Sequence, residues 1–213
     1  TNTDAVLLSG DRIIASVKTP TTVDVSSGVV LAVRDVLGRS EVKPSDIQAT
    51  MIGTTQFTNA FVERKRLVEA AIIRLALPSN ISIRPLLDWP DDLLSVTGEN
   101  SYMVPGGYEF DGTEIAPIDE QSILDAAQDI KRKGMHHVAI SCVFSPINDA
   151  MEKRAAELVR QVIPHAHITL SSEIGRISMI ERENAAIMNA ALTDLSKRVV
   201  GSFRNALESL NIK

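Results

Sequence analysis

One cysteine, one tryptophan, two tyrosines and five phenylalanines are all that 213 residues contain of those types. A lone Cys142 excludes an internal disulfide framework and makes a reducing, cytoplasmic compartment the expectation. A positive excess is also lacking: 22 Lys and Arg stand against 27 Asp and Glu, a formal net charge of −5. Binding to a phosphate backbone calls for a basic footprint, so nucleic acid is not an expected partner. No apolar run approaches the ~20 residues that cross a bilayer, and residues 1–20 lack the layout of a signal peptide, so no membrane partner is expected either. Internal repeats and low-complexity tracts are missing. What remains is a soluble globular chain, 44% apolar, long enough for one large domain or two small ones. It starts without Met, Thr1-Asn2-Thr3-Asp4 running straight into an apolar stretch, and a preceding segment is expected.

The hydropathy pattern divides the chain into short elements. Ala5–Leu8 and Ile13–Val17 flank the turn residues Ser9-Gly10-Asp11 and predict a hairpin. Val25, Val29, Val33 and Val36 recur at helical spacing over 24–37, with Asp24 as N-cap and Gly38 as stop. Residues 47–52 read as a strand running into Gly53-Thr54-Thr55, followed by a helix over 56–65. The run from Val68 to Leu77 is ambiguous by periodicity, and Ile72-Ile73 tips it toward strand. Five of the nine prolines fall within 78–118, an irregular insertion or small subdomain with short β structure around Tyr108. Alternation then resumes with a helix at 120–133, a strand at 137–143, a helix at 149–162, a strand at 167–171 and a long helical pattern over 179–210. This order predicts an α/β fold in which 4–17, 47–53 and 137–143 share one mixed sheet, helices 24–37 and 149–162 pack on it, and 78–118 lies at its periphery.

Several groups invite a chemical reading. The hydroxyls, amide and carboxylate of Thr1-Asn2-Thr3-Asp4 form a candidate phosphate nest, against the plainer reading of a polar chain terminus. Gly53-Thr54-Thr55 before a helix suits an anion or a simple cap equally. His165 and His167, two apart, lack a third ligand for a metal. Cys142, inside an apolar strand, reads as a small buried hydrophobe. Glu181-Arg182-Glu183 reads as a solvated helix face, and Trp89 as a packing anchor.

Taken in order, seven blocks resemble the hydantoinase A/5-oxoprolinase family. Thr1–Val6 is similar to the end of its Asp-x-Gly-Gly-Thr-x-Thr-Asp phosphate loop. Lys18–Thr22, Ile52–Thr55 continuing through Thr58-Asn59-Ala60 to Glu63-Arg64-Lys65, Pro85–Pro90, Gly106–Gly112, Val143–Pro146 and Ser171–Gly175 with Glu181–Ala186 follow. The Asp and two Gly that open the loop are absent, as is the strand that would carry them. The resemblance implies a ribonuclease-H-like fold of the actin and sugar-kinase ATPase superfamily, spanning 1–77 and 119–178 with 78–118 inserted. Residues 179–213 would then be a helical segment leading to a second, absent region. It further implies ATP-dependent hydrolysis of a cyclic amide through phosphorylation of the ring carbonyl, with ATP and Mg²⁺ as cofactors. Thr1, Asn2, Thr3, Lys18, Gly53, Thr54, Thr55 and Asn59 would contact the cofactor, and Asp4 would serve the metal or catalysis. Arg182 and Glu183 become candidate junction residues. Expected partners are the cyclic amide, the absent C-terminal region and a hydantoinase B-type subunit. The alternatives are a subunit of an ATP-dependent ketone carboxylase and a non-catalytic assembly domain. With half the cleft and part of the loop absent, residues 1–213 alone are expected not to turn over ATP at an enzymatic rate.

Overall fold

The computed structural model describes residues 2–20 and 25–212. Two compact units are present, one of residues 1–55 with 196–213 and the other of residues 56–195.

In the first unit, β1 (Asn2–Ser9) and β2 (Arg12–Pro20) form an antiparallel hairpin, with Asp4 opposite Lys18 and Ala5 opposite Val17. Because side chains alternate across a strand, one hairpin face holds Ala5, Leu7, Ala15 and Val17. That face packs on Ala32 and Val36 of α1 (Val25–Gly38). A two-stranded ribbon is marginal in water, and this helix supplies the apolar cover for one of its faces. The opposite face, with Asp4, Val6, Leu8 and Lys18, stays exposed. Asp24, read as the N-cap of α1, lies outside the described residues.

The second unit is built on a four-stranded parallel sheet in the order β4 (Ser101–Pro105), β3 (Ala71–Leu77), β5 (His137–Cys142), β6 (His167–Leu170). Parallel strands covered on both faces read as continuous apolar runs, which is why 71–77 and 137–142 show no alternation. On one face Ile73, Leu75, Val138 and Ile140 pack against α4 (Glu120–Arg132) and α5 (Ala150–Val162). On the other, Ile72 and Ala139 meet Trp89, Leu93 of α3 (Asp91–Thr97) and, beyond the short helix α6 (Ser171–Ile174), Ala186, Ile187 and Ala190 of α7 (Met179–Ala191). Asp119 caps α4, its carboxylate accepting from the Ser122 N–H at 3.1 Å. The connections leave β3 for β4 on one side and then return for β5 on the other, so the topological switch lies between β3 and β5.

Antiparallel and parallel pairing thus both occur, but in two sheets. The expectation of a single sheet joining 4–17, 47–53 and 137–143 is corrected: the hairpin pairs only with itself among the described strands, and 47–52 forms no strand. The place beside β5 is taken by β3, the run whose periodicity was ambiguous. Segment 78–118 carries α3 and contributes β4 as an edge strand of the main sheet. The pattern over 179–210 resolves into α7 and α8 (Thr193–Ser209), broken at Leu192. Thr193 Oγ1 donates to the Ala190 carbonyl at 2.9 Å, and Asp194 sits in the first turn of α8, where a carboxylate suits the positive end of the new helix. Among the described residues no helix is long and apolar enough to cross a membrane.

Candidate functional site

The hairpin presents the first group. Asp4 and Lys18 are cross-strand neighbours on the exposed face, with Lys18 Nζ 3.8 Å from Asp4 Oδ1. Their side chains are 58% and 66% exposed. Such a pair is screened and contributes roughly 0–1 kcal/mol, so either partner can be drawn to another ion at little cost. Asn2 shares that face, while Thr3 points to the helix side and accepts at its carbonyl from Thr19 Oγ1 at 3.3 Å. Thr1 lies outside the described residues.

The second group follows along the chain. Gly53, Thr54 and Thr55 lead into α2 (Gln56–Glu63), and Asn59 is exposed one turn inside it, in the second unit. A Cβ built on Gly53 would meet nothing within 4 Å, and its φ is not in the left-handed region, so the fold itself does not demand glycine there. The helix closes with Arg64 at a φ of 53°, its guanidinium bonded to the Phe61 carbonyl and to Asp92 at 2.9 Å. Of the residues expected to form one cleft, the structure brings Asp4 and Lys18 into contact.

A third set of polar residues is buried at the sheet and on α5 and α7. Arg74, 1% exposed, donates from Nε and Nη2 to Glu183 at 2.7 and 2.5 Å, and from Nη1 to the Ile83 carbonyl. Ser141 Oγ donates to the same carboxylate at 2.5 Å. Beyond the ends of β5 and β6, Glu152 of α5 accepts from Ser171 Oγ, Ser172 N and Ser172 Oγ at 2.5, 3.0 and 2.7 Å. Arg182 donates to Ser171 Oγ at 2.9 Å, to the Cys142 carbonyl at 2.6 Å and to the Arg176 carbonyl at 2.8 Å. Burial lowers the Arg182 pKa, and the Glu152 charge opposes that shift. Burial, with Glu152 nearby, pushes the Cys142 thiol up to about 12, so it stays protonated and unreactive. The reading of Glu181-Arg182-Glu183 as a solvated face is corrected for two of the three: Arg182 and Glu183 are buried. A signal for Glu183 was present, since it falls on the apolar stripe with Ala186, Ile187 and Ala190, and Arg74 interrupts an apolar strand. Two opposite charges at core positions call for each other. Each is engaged by several partners, which suits holding the fold rather than turning over a substrate.

His167 opens β6 and stacks on His137 with ring centroids 5.2 Å apart, whereas His165 precedes the strand. Trp89 is buried in the core and donates from Nε1 to Asn184 Oδ1 at 2.9 Å, the packing anchor expected of it.

The family description of the hydantoinase/oxoprolinase N-terminal region matches residues 1–163. The alpha subunit of caprolactamase from Pseudomonas jessenii is 24% identical over 189 residues, which are 84% of this chain and 27% of that protein. An uncharacterised protein of Methanocaldococcus jannaschii is 28% identical over 109 residues, 51% of this chain and 16% of that one. Among solved structures, the ATP-dependent caprolactamase of Pseudomonas jessenii superposes with a TM-score of 0.73 at 24% identity, covering 99% of this chain and 33% of that one. Acetone carboxylase in its nucleotide-free form gives 0.71 at 16% identity, covering 92% and 31%. At these identities the structural likeness establishes an α/β fold in common, and the chain spans a third or less of the length of each of these relatives.

Proposed function

The chain belongs to the hydantoinase/oxoprolinase family, whose N-terminal region it matches, and from that membership we propose that it is the N-terminal part of an ATP-dependent enzyme that hydrolyses a cyclic amide. The observation that carries this reading is the exposed Asp4–Lys18 pair, standing inside the stretch that matches the family. The likeness to caprolactamase, an ATP-dependent enzyme, supports it. By the same analogy the intact protein works beside a second, hydantoinase B-type subunit. The ribonuclease-H-like reading rests on the family resemblance.

The residues fit the cofactors proposed. Among the described residues no group of three or more His, Cys, Asp or Glu is disposed to enclose a metal ion. A nucleotide-bound Mg²⁺ does not require one, since it keeps waters and takes one or two carboxylates besides the phosphates. Asp4 supplies one carboxylate, and Lys18 a cation for phosphate oxygens. Thr1, Asn2, Thr54 and Thr55 are proposed polar contacts, and Gly53 leaves room for close approach of the ligand.

An amide carbonyl is a poor electrophile because nitrogen donates into it. Bound ATP supplies the phosphoryl group that turns the ring oxygen into a leaving group. Overall, amide, ATP and two waters give the opened amino acid, ADP and phosphate: one water's oxygen joins the ring carbon as the C–N bond breaks and the nitrogen takes a proton, and the second water releases the phosphoryl group as phosphate. The chain's own part is to orient phosphates and offset negative charge that spreads during transfer.

The test is Asp4→Asn in the intact enzyme, assayed for ATP-dependent opening of hydantoin, 5-oxoproline and caprolactam. Asparagine keeps the size and one acceptor but removes the charge. Turnover should fall ~10²-fold or more, the scale for losing a preorganised electrostatic group, with the thermal midpoint unchanged. Full turnover with a lowered midpoint would make Asp4 a hairpin residue only. Ketone-dependent carboxylation in place of ring opening would move the protein to the carboxylase reading.

A further inference from the structure

We propose that the apolar half of the hairpin's open face, formed by Val6, Leu8 and Ile13, is covered in the intact protein by a segment of the same polypeptide outside residues 1–213. The hairpin needs this cover whatever reaction the protein carries out.

The register makes the patch continuous. Leu8 stands directly opposite Ile13, and Val6 stands opposite Ser16. Opposed side chains of an antiparallel pair have Cβ atoms about 5 Å apart, and same-face neighbours along a strand are about 7 Å apart. Val6, Leu8 and Ile13 are 52%, 58% and 63% exposed. Ile14, the extra residue where the register shifts after Leu7, is exposed as well. Asp4 and Lys18 lie toward the other end of the ribbon. The face therefore divides into an apolar half beside the turn and a charged half away from it.

A ribbon with one face in water ordinarily alternates apolar and polar side chains. Here the turn end is apolar on both faces, and the open face carries the bulkier set. The face on α1 holds Ala5, Leu7, Ala15 and Val17, two of them alanines. Among the described residues of 1–55, Val17, Ala32 and Val36 are buried, while Leu31 and Met51 join the hairpin residues in solvent. More large apolar side chains lie outside than inside, the reverse of a finished core. In the second unit, by contrast, helices cover both faces of the sheet.

Area and connectivity select the occupant. Four aliphatic side chains offer on the order of 300 Å², well short of the ~800 Å² per partner in a standard interface between separate molecules. A second copy or another subunit would have to offset the loss of its free motion with that small area. A tethered segment does not, since its effective concentration is on the order of millimolar. Residues 1–55 and 196–213 both belong to this unit, so polypeptide outside the chain is tethered to it on either side. The chain makes up 27% of the caprolactamase alpha subunit and 33% of the chain in the caprolactamase structure. A protein of that length has most of its residues available for the cover. The cover stops short of Asp4 and Lys18, because enclosing that pair would cost the hydration both charges now keep.

The test uses the intact protein in two forms, one with photoreactive p-benzoylphenylalanine in place of Leu8 and one carrying Leu8→Cys. Irradiation should join position 8 to peptides of the same polypeptide outside residues 1–213. The product should keep the mass of one chain and form equally at every protein concentration. Iodoacetamide should label Leu8→Cys about 10-fold or more slowly than Ser45→Cys, an exposed site of the same unit, because the thiol is reached only when the cover opens. Cys142 is buried, and peptide mapping keeps its signal apart. Both readouts are taken without substrate or nucleotide, so failure of the cyclic-amide reading leaves them unchanged. A product containing two chains overturns the proposal, assigning the patch to a second copy or to another subunit according to its peptides. Links confined to residues 1–213, or equal labelling of the two cysteine variants, overturn it as well.

Discussion

Two ion pairs show how differently the two units use charge. Asp4 and Lys18 face each other across the hairpin at 3.8 Å, both well exposed. Arg74 and Glu183 meet at 2.5 Å with each side chain only 1% exposed, bridged further by Ser141. In the first, water screens both charges and neither is committed. In the second, removal from water is offset only because each guanidinium nitrogen and each carboxylate oxygen has a partner. Charge that holds a fold together is spent on its partners, and charge available for a ligand has to stay solvated. The distance between those two conditions is the strongest structural argument for looking to the hairpin, and not to the buried network, for chemistry.

The largest effect should come from breaking the buried pair on one side. Glu183→Ala leaves the Arg74 guanidinium inside the sheet layer with only the Ile83 carbonyl for company. Truncating one member of such a pair typically costs 3–5 kcal/mol, and urea unfolding of the chain should register a loss of that order. Replacing both, Arg74→Met with Glu183→Leu, should recover most of it, because no uncompensated charge then remains. A double variant as unstable as the single one would mean that the pair is needed for something beyond charge balance.

Acid should reveal a smaller contribution from the second unit. Asp129 is held well below the usual carboxylate range, first by the Tyr102 hydroxyl donating at 2.6 Å and then by Lys133 and Arg132. Asp119 is lowered by the Ser122 hydroxyl and N–H at the cap of α4. A carboxylate whose folded pKa lies below its unfolded value adds stability that is complete above the unfolded value and is lost as pH falls through the folded one. The thermal midpoint should therefore be flat above about pH 5 and decline below about pH 4, where the unfolded carboxylates begin to protonate. Asp129→Asn should flatten that decline without shifting the midpoint at neutral pH by more than the loss of the pair itself.

Legibility in the sequence divides along the same line. The alternation from residue 119 onward was readable to within a residue or two, because α4 and α5 carry a helical period, Gly134 marks the end of α4, and the short apolar runs of β5 and β6 fall between those helices. The hairpin was readable from its turn. Residues 68–77 had no period to distinguish a strand buried on both faces from a buried helix, and Ile72-Ile73 pointed to the strand that 71–77 forms. Residues 47–52 carried a strand's composition without a strand's partner, and composition alone does not make a ladder. Helix α7 was read as one with α8 because the break at Leu192 preserves the spacing of the apolar stripe. The proposed site was legible only through family resemblance. Asp4 and Lys18 lie 14 residues apart, and only the register of the hairpin sets them face to face. Arg182 and Glu183 were misjudged for a local reason: a Glu-Arg-Glu run resembles a solvated face unless its phase is compared with the alanines one and two turns later.

The smallest effect should be the most diagnostic. Lys18→Met removes the cation of the exposed pair while keeping the length and apolar stem of the side chain. Nothing buried is left unpaired, so stability should change by no more than about 1 kcal/mol, the range for surface pairs, and raising the salt concentration should erase even that. If the hairpin charges are merely ornamental, turnover of the intact enzyme should be equally indifferent. If Lys18 offsets phosphate charge, the KM for ATP should rise and the rise should persist at high salt, because a ligand held beside the cation excludes some of the screening ions. Measuring urea stability and the KM for ATP on one preparation, at low and high salt, separates the cases. A large stability loss would show that Lys18 is committed to the fold after all, and the contrast between the solvated pair and the buried one would collapse.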